Sequence, residues 1–345
     1  MSSTRLTLVG DVNVQRDDPR SVFARVRDEL RRADVLFGDL EMGLYRPSAV
    51  IVEKPGWRQS EERMVEALLD AGFAAVGCAN NVVQGDDVVR STVRALDAHG
   101  IAHSGAGEDL AMARAPAVVE RGGLRFGLLA RTAVFYPHGH AAGPSSPGVA
   151  TLKCHTAYEP HPRVHEMPGA PATTRSWPDP ASLEALRDDL RALRGRVDVV
   201  AVYVHWGVSG SDELAEYQRT VGHDAVDHGA DVVFGSHAHV PQAVELYKGR
   251  PILYGLGNFA FDWENIRPHR HGLAAEITLD GAEVVQVAVR PVHRRDDALN
   301  QPEILPADDG PGRRIVERVA ELSKPLGTIL EMQDGKAVLR AGLLA

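Results

Sequence analysis

Five short apolar runs in this chain each lead to a residue able to ligate a metal or carry a proton, and that pattern narrows the fold more than any other feature. Residues 6–9 close on Gly10-Asp11, residues 34–37 on Gly38-Asp39-Leu40-Glu41, and residues 74–78 lead to Asn80-Asn81. Residues 197–204 end at His205-Trp206-Gly207, and residues 232–234 at Gly235-Ser236-His237-Ala238-His239. Stretches 21–32, 61–71, 87–99, 181–194 and 214–228 carry apolar residues at helical spacing. Strands alternating with helices predict an α/β fold with its active residues at strand C-terminal ends. Residues 118–119 and 126–130 read as a hairpin about Arg121-Gly122-Gly123, and 273–279 with 283–292 as two antiparallel strands.

A lone Gly-Asp is ordinarily a turn and a lone His ordinarily packs or faces water. Five separate strand ends carrying such residues argue for an active site built from Asp11, Asp39, Asn81, His205, His237 and His239. Carboxylate, amide oxygen and imidazole together suit Mn, Zn, Fe, Mg or Ca better than any soft-ligand site. His237 and His239, two apart, point the same way if that segment is extended, so both reach one ion. Glu41 either ligates the metal or orients a histidine. Asn81, Trp206 and Asn258 are candidate substrate contacts. Against that, Trp206 reads more readily as a packing residue, and Asn258 as a brace in the tight turn Gly257-Asn258-Phe259.

The remaining features bound the function. Net charge is −9, with Lys and Arg scattered rather than clustered, which speaks against a nucleic-acid partner. Two cysteines without a C-x-x-C spacing offer no disulfide scaffold. No run approaches the ~20 apolar residues of a membrane span, and the N-terminus lacks a signal-peptide pattern. The expected setting is therefore cytoplasmic, with no membrane partner. No organic cofactor motif is present. One unit over 1–300 is expected, interrupted by an irregular Pro/Gly/His-rich loop at 136–180 that reads as a lid, followed by a helical extension over 301–345 packed on the outside. His138, His140, His155, His161 and His165 lie in that loop and read as loop polarity or substrate contacts.

The order of these motifs, with the long segment from Gly229-Ala230-Asp231 to Pro241-Gln242 and with Tyr254-Gly255-Leu256-Gly257-Asn258-Phe259, resembles the CapA family of poly-γ-glutamate capsule biosynthesis proteins, within the calcineurin-like metallophosphatase superfamily. The resemblance covers roughly residues 4–292. It implies a four-layer αββα sandwich with the site at the joint edge of two sheets. It also implies that Asp11, Asp39, Asn81, His205, His237 and His239 stand at metal-ligand positions.

The chain departs from the family at telling places. Where the family usually writes Asn-Asn-His followed by an Asp, this sequence reads Asn81-Val82-Val83-Gln84-Gly85. The missing His protonates the leaving alkoxide in the phosphatase mechanism, help worth roughly 10²–10⁴-fold. Asn13 stands where the superfamily has a His, Ser209 where the family has Glu, and Ser236 precedes the paired histidines. Some family members accompany lasso-peptide pathways and invert the Cα of a residue in a ribosomally made precursor peptide. That chemistry needs a base, an acid on the opposite face and help for the enolate oxygen, but no leaving-group acid. Peptide epimerisation is thus the expected activity, with Asp11 and His293 as the acid/base pair, Asn13 and Asn81 as polar helpers and the precursor peptide as partner. The alternatives are a divalent-metal-dependent phosphoesterase and a non-catalytic binding protein with a degenerate site.

Overall fold

The computed structural model describes residues 3–45, 58–266 and 268–342. From the N-terminus run β1 (Thr4–Asn13), α1 (Arg27–Leu30), β2 (Val35–Leu40), α2 (Val65–Ala71), β3 (Ala75–Gly77), α3 (Asp86–Ala98), β4 (Ala102–Ser104), β5 (Ala106–Gly107), α4 (Leu110–Arg114), β6 (Ala117–Arg121) and β7 (Leu124–Thr132). The chain continues through β8 (Gly148–Val149), β9 (Cys154–Glu159), β10 (Thr173–Pro178), α5 (Pro180–Arg194), β11 (Val199–His205), α6 (Glu216–Asp227), β12 (Val232–Ser236), β13 (Val244–Tyr247), β14 (Arg250–Leu253) and β15 (Asn258–Phe261). Then come β16 (His271–Asp280), β17 (Glu283–Arg294), β18 (Pro302–Ile304), α7 (Gly310–Ser323), β19 (Thr328–Gln333) and β20 (Lys336–Ala341).

Two mixed sheets carry the fold. The first has the order β19-β20-β17-β16-β1-β2-β3-β4, with β15 added beside β1 and β18 beside β17; the second runs β13-β14-β12-β11-β7-β6. Side-chain alternation sorts three cores. Leu6, Leu8 and Phe37 of the first sheet meet Phe126, Leu128, Ala201 and Phe234 of the second. The outer face of the first sheet packs on Ala67, Leu68 and Ala71 of α2 and on Val89, Val93 and Leu96 of α3. The second sheet covers its outer face with Leu186, Leu190 and Leu193 of α5 and Val221 and Ala225 of α6. Each helix thus buries one apolar stripe against a sheet, and the layers are αββα. No helix among the described residues is long and apolar enough to cross a membrane.

Two stretches differ from expectation. Residues 136–180 are no structureless lid: β8 pairs with β5, and β9 with β10 makes a six-residue antiparallel ladder. Val149, Ala150 and Leu152 are fully buried there. The period-2 signal is hidden because those strands are short and the Pro/Gly-rich residues 160–172 separate them. Residues 301–342 do more than add an outer helix. Ile315, Val316 and Val319 of α7 join the core between the sheets, and β20 extends the first sheet by pairing with β17.

Candidate metal centre

The strand tips named from the sequence do converge, and each arrives by a specific local device. In β1, Leu6 and Leu8 face the core between the sheets whereas Val9 and Val12 both face the outer core, so alternation slips by one residue. The register with β2 shifts at the same place, between Leu8 and Asp11, as a β-bulge would produce. Gly10 permits it. A Cβ there would lie 1.9 Å from the Gly257 carbonyl oxygen, and the close approach lets the Asp11 N–H donate to that oxygen at 3.0 Å. Beyond this point β15 replaces β16 beside β1, with Asp11 opposite Asn258.

His237 and His239 arrive differently from the extended geometry expected. Their φ angles are 90° and 58°, left-handed conformations that cost about 1–3 kcal/mol each in residues with a Cβ. A strained turn, not strand alternation, brings both rings inward.

Asp11, Asp39 and His205 place one ligand atom apiece within 4.8 Å of one another, and Glu41, His237 and His239 do the same. His205 Nδ1 lies 3.4 Å from Asp39 Oδ2. His239 Nδ1 lies 3.4 Å from Asp11 Oδ2 and 3.9 Å from Glu41 Oε2, so it links the two triads. His205 Nε2 donates to Asn81 Oδ1 at 3.1 Å and sits 3.1 Å from His237 Nδ1. All of these residues are buried; His237, at 8 % exposure, and Asn81, at 6 %, lie nearest the solvent. At the same Nδ1 of His205 the Tyr203 hydroxyl lies 2.8 Å away, and it is 2.6 Å from Ser236 Oγ. Asn80 ties the loops together, donating to Asp39 Oδ1 and to the Leu40 carbonyl while accepting from the Val82 and Val83 amides.

Carboxylates crowded in a dry pocket repel one another. Burial and the neighbouring Asp11 charge push the Asp39 carboxyl well above the usual carboxylate range, against the opposing bond from Asn80. Burial, with Asp39 and Asp11 beside it, likewise raises the Tyr203 phenol. Asp11 Oδ1, Asn13 Oδ1 and Asp39 Oδ2 are buried and accept no hydrogen bond among the described residues. The ion-pair partners of Asp11 and Asp39 there are histidines rather than Lys or Arg. Buried charge left uncompensated costs several kcal/mol, and a divalent cation is the compensation this oxygen-and-imidazole set fits.

The other predicted residues fall in different places. Asn13 is buried beside Asp11 and donates its amide to the Glu41 carbonyl at 2.7 Å, leaving only its oxygen for the site. Asn258 is fully buried; its oxygen accepts from His239 Nδ1 at 2.9 Å, and its amide donates to the His269 carbonyl at 3.0 Å. It braces the site rather than meeting substrate. Trp206 has no exposed surface, donates to the Tyr254 carbonyl at 2.6 Å and packs on the Tyr254 ring, so it is a packing residue. A Cβ at Gly235 would strike that indole at 2.1 Å, which explains the glycine before Ser236. His293 pairs in register with His271 across β16 and β17 and lies outside both triads. Val82 is buried with Phe261, Trp263 and Ile266 in an apolar cluster. Among the loop histidines, His140 is buried: Nδ1 accepts from the Tyr136 amide and Nε2 donates to the Asn80 carbonyl. Its spacing gave no sign of that, and nothing in the sequence marked Tyr203, itself bonded to Ser236, as a partner of His205.

Known proteins resemble this chain along most of its length. It is 29 % identical over 306 residues to the uncharacterized protein y4sH of Sinorhizobium fredii, covering 74 % of this chain and 66 % of the relative. It is 26 % identical over 275 residues to the capsule biosynthesis protein CapA of Bacillus anthracis, covering 74 % and 59 %. It is 30 % identical over 241 residues to the probable polyglutamine synthesis accessory protein MT0602 of Mycobacterium tuberculosis, covering 68 % and 58 %. The chain therefore spans less than two thirds of these relatives' own lengths. The family model for the bacterial capsule synthesis protein PGA_cap matches residues 5–263; that stretch holds both triads, and the chain belongs to the PGA_cap family.

Proposed function

We propose that this chain is a peptide epimerase, moving a proton across the Cα of one residue in a ribosomally made precursor peptide. The observation that carries this reading is the apolar wall at Val82. A phosphoester hydrolase needs a proton donor beside the leaving alkoxide, and Val82, packed with Phe261, Trp263 and Ile266, supplies none. Abstraction of a weakly acidic Cα proton needs a water-poor pocket instead.

Asp11 and His293 serve opposite faces of the Cα, one taking a proton while the other returns one, so the proton count balances. Leu273, Ala275 and Ile277 of β16 and Val287 and Val289 of β17 face the core between the sheets. By that alternation His271 and His293 look to the same side, at the sheet end where β1 delivers Asp11. β17 lies beyond β16 from β1, and at Asp11 itself β15 intervenes, so the substrate residue must reach across at least two strand spacings, about 10 Å. His293 Nδ1 is buried and makes no hydrogen bond among the described residues. A divalent cation held by the two triads supplies Lewis-acid help to the substrate carbonyl when bound. Asn81, bonded to His205, is the polar helper.

The test is incubation with a candidate precursor peptide in D₂O, followed by mass spectrometry and chiral amino-acid analysis. One deuteron at an inverted Cα is expected. A second reading, metal-dependent phosphoester hydrolysis, draws support from the joined triads Asp11/Asp39/His205 and Glu41/His237/His239. Turnover of an aryl phosphate with Mn²⁺, without Cα exchange in any peptide, would establish it instead.

A further inference from the structure

Beside the cluster lies a cavity of about 380 Å³, walled by the turn after His239, the segment leading into β16 and one face of α7. It shares a wall with the site. His239 continues directly into Val240-Pro241, which line the cavity. His269, also lining it, accepts from Asn258, the residue bonded to His239.

The ionisable lining is one-sided: Arg270, Arg314, Arg318, His269 and His271 against the single carboxylate of Asp212. Asp212 already accepts from Arg318 at 2.8 Å. Arg270 donates to the Arg295 carbonyl at 3.0 Å and pairs with Asp296, a carboxylate 85 % exposed and so weakly held. The Arg314 side chain, on an exposed residue at the cavity rim, makes no hydrogen bond or ion pair among the described residues. Burial lowers both imidazoles, helped at His269 by His239 and Arg294 and at His271 by His293 and Arg314. Positive charge at neutral pH therefore resides in the guanidinium groups, with the one at Arg314 unspent.

We propose that this cavity is the subsite for a carboxylate of the substrate peptide, held by Arg314 while the neighbouring residue lies at the metal cluster. The proposal rests on the peptide reading above and names the chemistry that the peptide must carry. One uncommitted guanidinium among neutral imidazoles matches a monoanion, and its planar fork suits a carboxylate.

Fluorescence anisotropy tests it with three tagged peptides: hexaglutamate amide, hexaglutamine amide and hexaglutamine with a free C-terminal carboxylate. The protein should bind at least one carboxylate-bearing peptide about tenfold more tightly than the uncharged amide. Preference for hexaglutamate assigns the pocket to a side-chain carboxylate, and preference for the free acid assigns it to a chain terminus; either supports the proposal. Arg314→Glu, an exposed change on α7, should abolish the preference, whereas Asp11→Asn should keep it. Equal binding of all three peptides, discrimination that survives Arg314→Glu, or displacement of the peptide by equimolar inorganic phosphate would overturn it. Retained discrimination without Cα exchange would sink the epimerase reading alone, so the two failures are separable.

Discussion

Phe261 stands edge-on to His239, the ring centroids 5.2 Å apart at 76°. The apolar wall and the ligand cluster are therefore in direct contact, and Val82 lies on the apolar side. Aryl phosphates should turn over negligibly even with added Mn²⁺, measured by release of the phenol. Placing an imidazole there by Val82→His should cost about 1–3 kcal/mol in stability, read by denaturant titration. Brisk hydrolysis by the unmodified protein that His237→Ala removes would favour the phosphoesterase.

Metal binding should show as stability. Chelator-treated protein should gain about 2.7 kcal/mol when Mn²⁺ is supplied at a hundred times its Kd, and elemental analysis after gentle purification should find divalent ions. Glu41→Gln and Asp39→Asn should each shrink the thermal shift. A protein indifferent to Mn²⁺ but fully active would mean that the triads serve only as a polar scaffold.

The raised Asp39 carboxyl gives a pH signature with a definite sign. Its folded-state affinity for the proton exceeds that of the unfolded chain, so in the window between the two values the native state binds more protons. Stability of the metal-free protein should fall as pH rises through that window. Asp39→Asn should flatten the fall. A metal-free protein whose Tm rises from pH 4 to pH 7, identically in wild type and variant, contradicts this account.

Asp11→Asn should remove inversion while keeping the fold, because the Asp11 amide, not its carboxylate, makes the bond to Gly257. His293→Ala should also block inversion. If the two groups serve opposite faces, one variant should still exchange Cα deuterium in a single stereoisomer. Full inversion by His293→Ala protein would move the second role to His205 or His239.

The segment expected to be a lid sets its own limit on deletion. Replacing residues 160–172 with a short Gly/Ser link should change stability by less than about 0.5 kcal/mol, since only the tip between β9 and β10 is lost. Removing 142–171 should unfold the protein, because Val149, Ala150 and Leu152 leave the core. Circular dichroism melts of the two deletions distinguish these outcomes.

Sequence patterns revealed what depends on local periodicity. The apolar runs before Asp11, Asp39 and His205 are the parallel strands β1, β2 and β11, and the β6–β7 and β16–β17 ladders follow turn residues at Gly122-Gly123 and Gly281. What stayed hidden depends on register between distant segments. The slip in β1 arises from its neighbours, and the left-handed backbone at His237 and His239 has no glycine to announce it. Glu41 could be weighed either as ligand or as brace until its carboxylate was seen to share a triad with His237 and His239. The strands at residues 328–341 mix Ile329, Leu330 and Val338 with charge, as edge strands do, and escaped notice for that reason.

The backbone contact between Gly10 and Gly257 also sets a schedule. The first strand is made early, but Gly257, the partner that anchors Asp11, is made only 246 residues later. Until then the bulge has no reason to form and the carboxylate is free to follow ordinary strand alternation. A chain interrupted between His239 and Gly257 would retain Asp11, Asp39 and the three clustered histidines in its sequence, yet lack the clasp that turns Asp11 toward them. Ion affinity in this protein should thus act as a certificate of completed folding, appearing late and all at once, as expected for a contact of such high sequence separation.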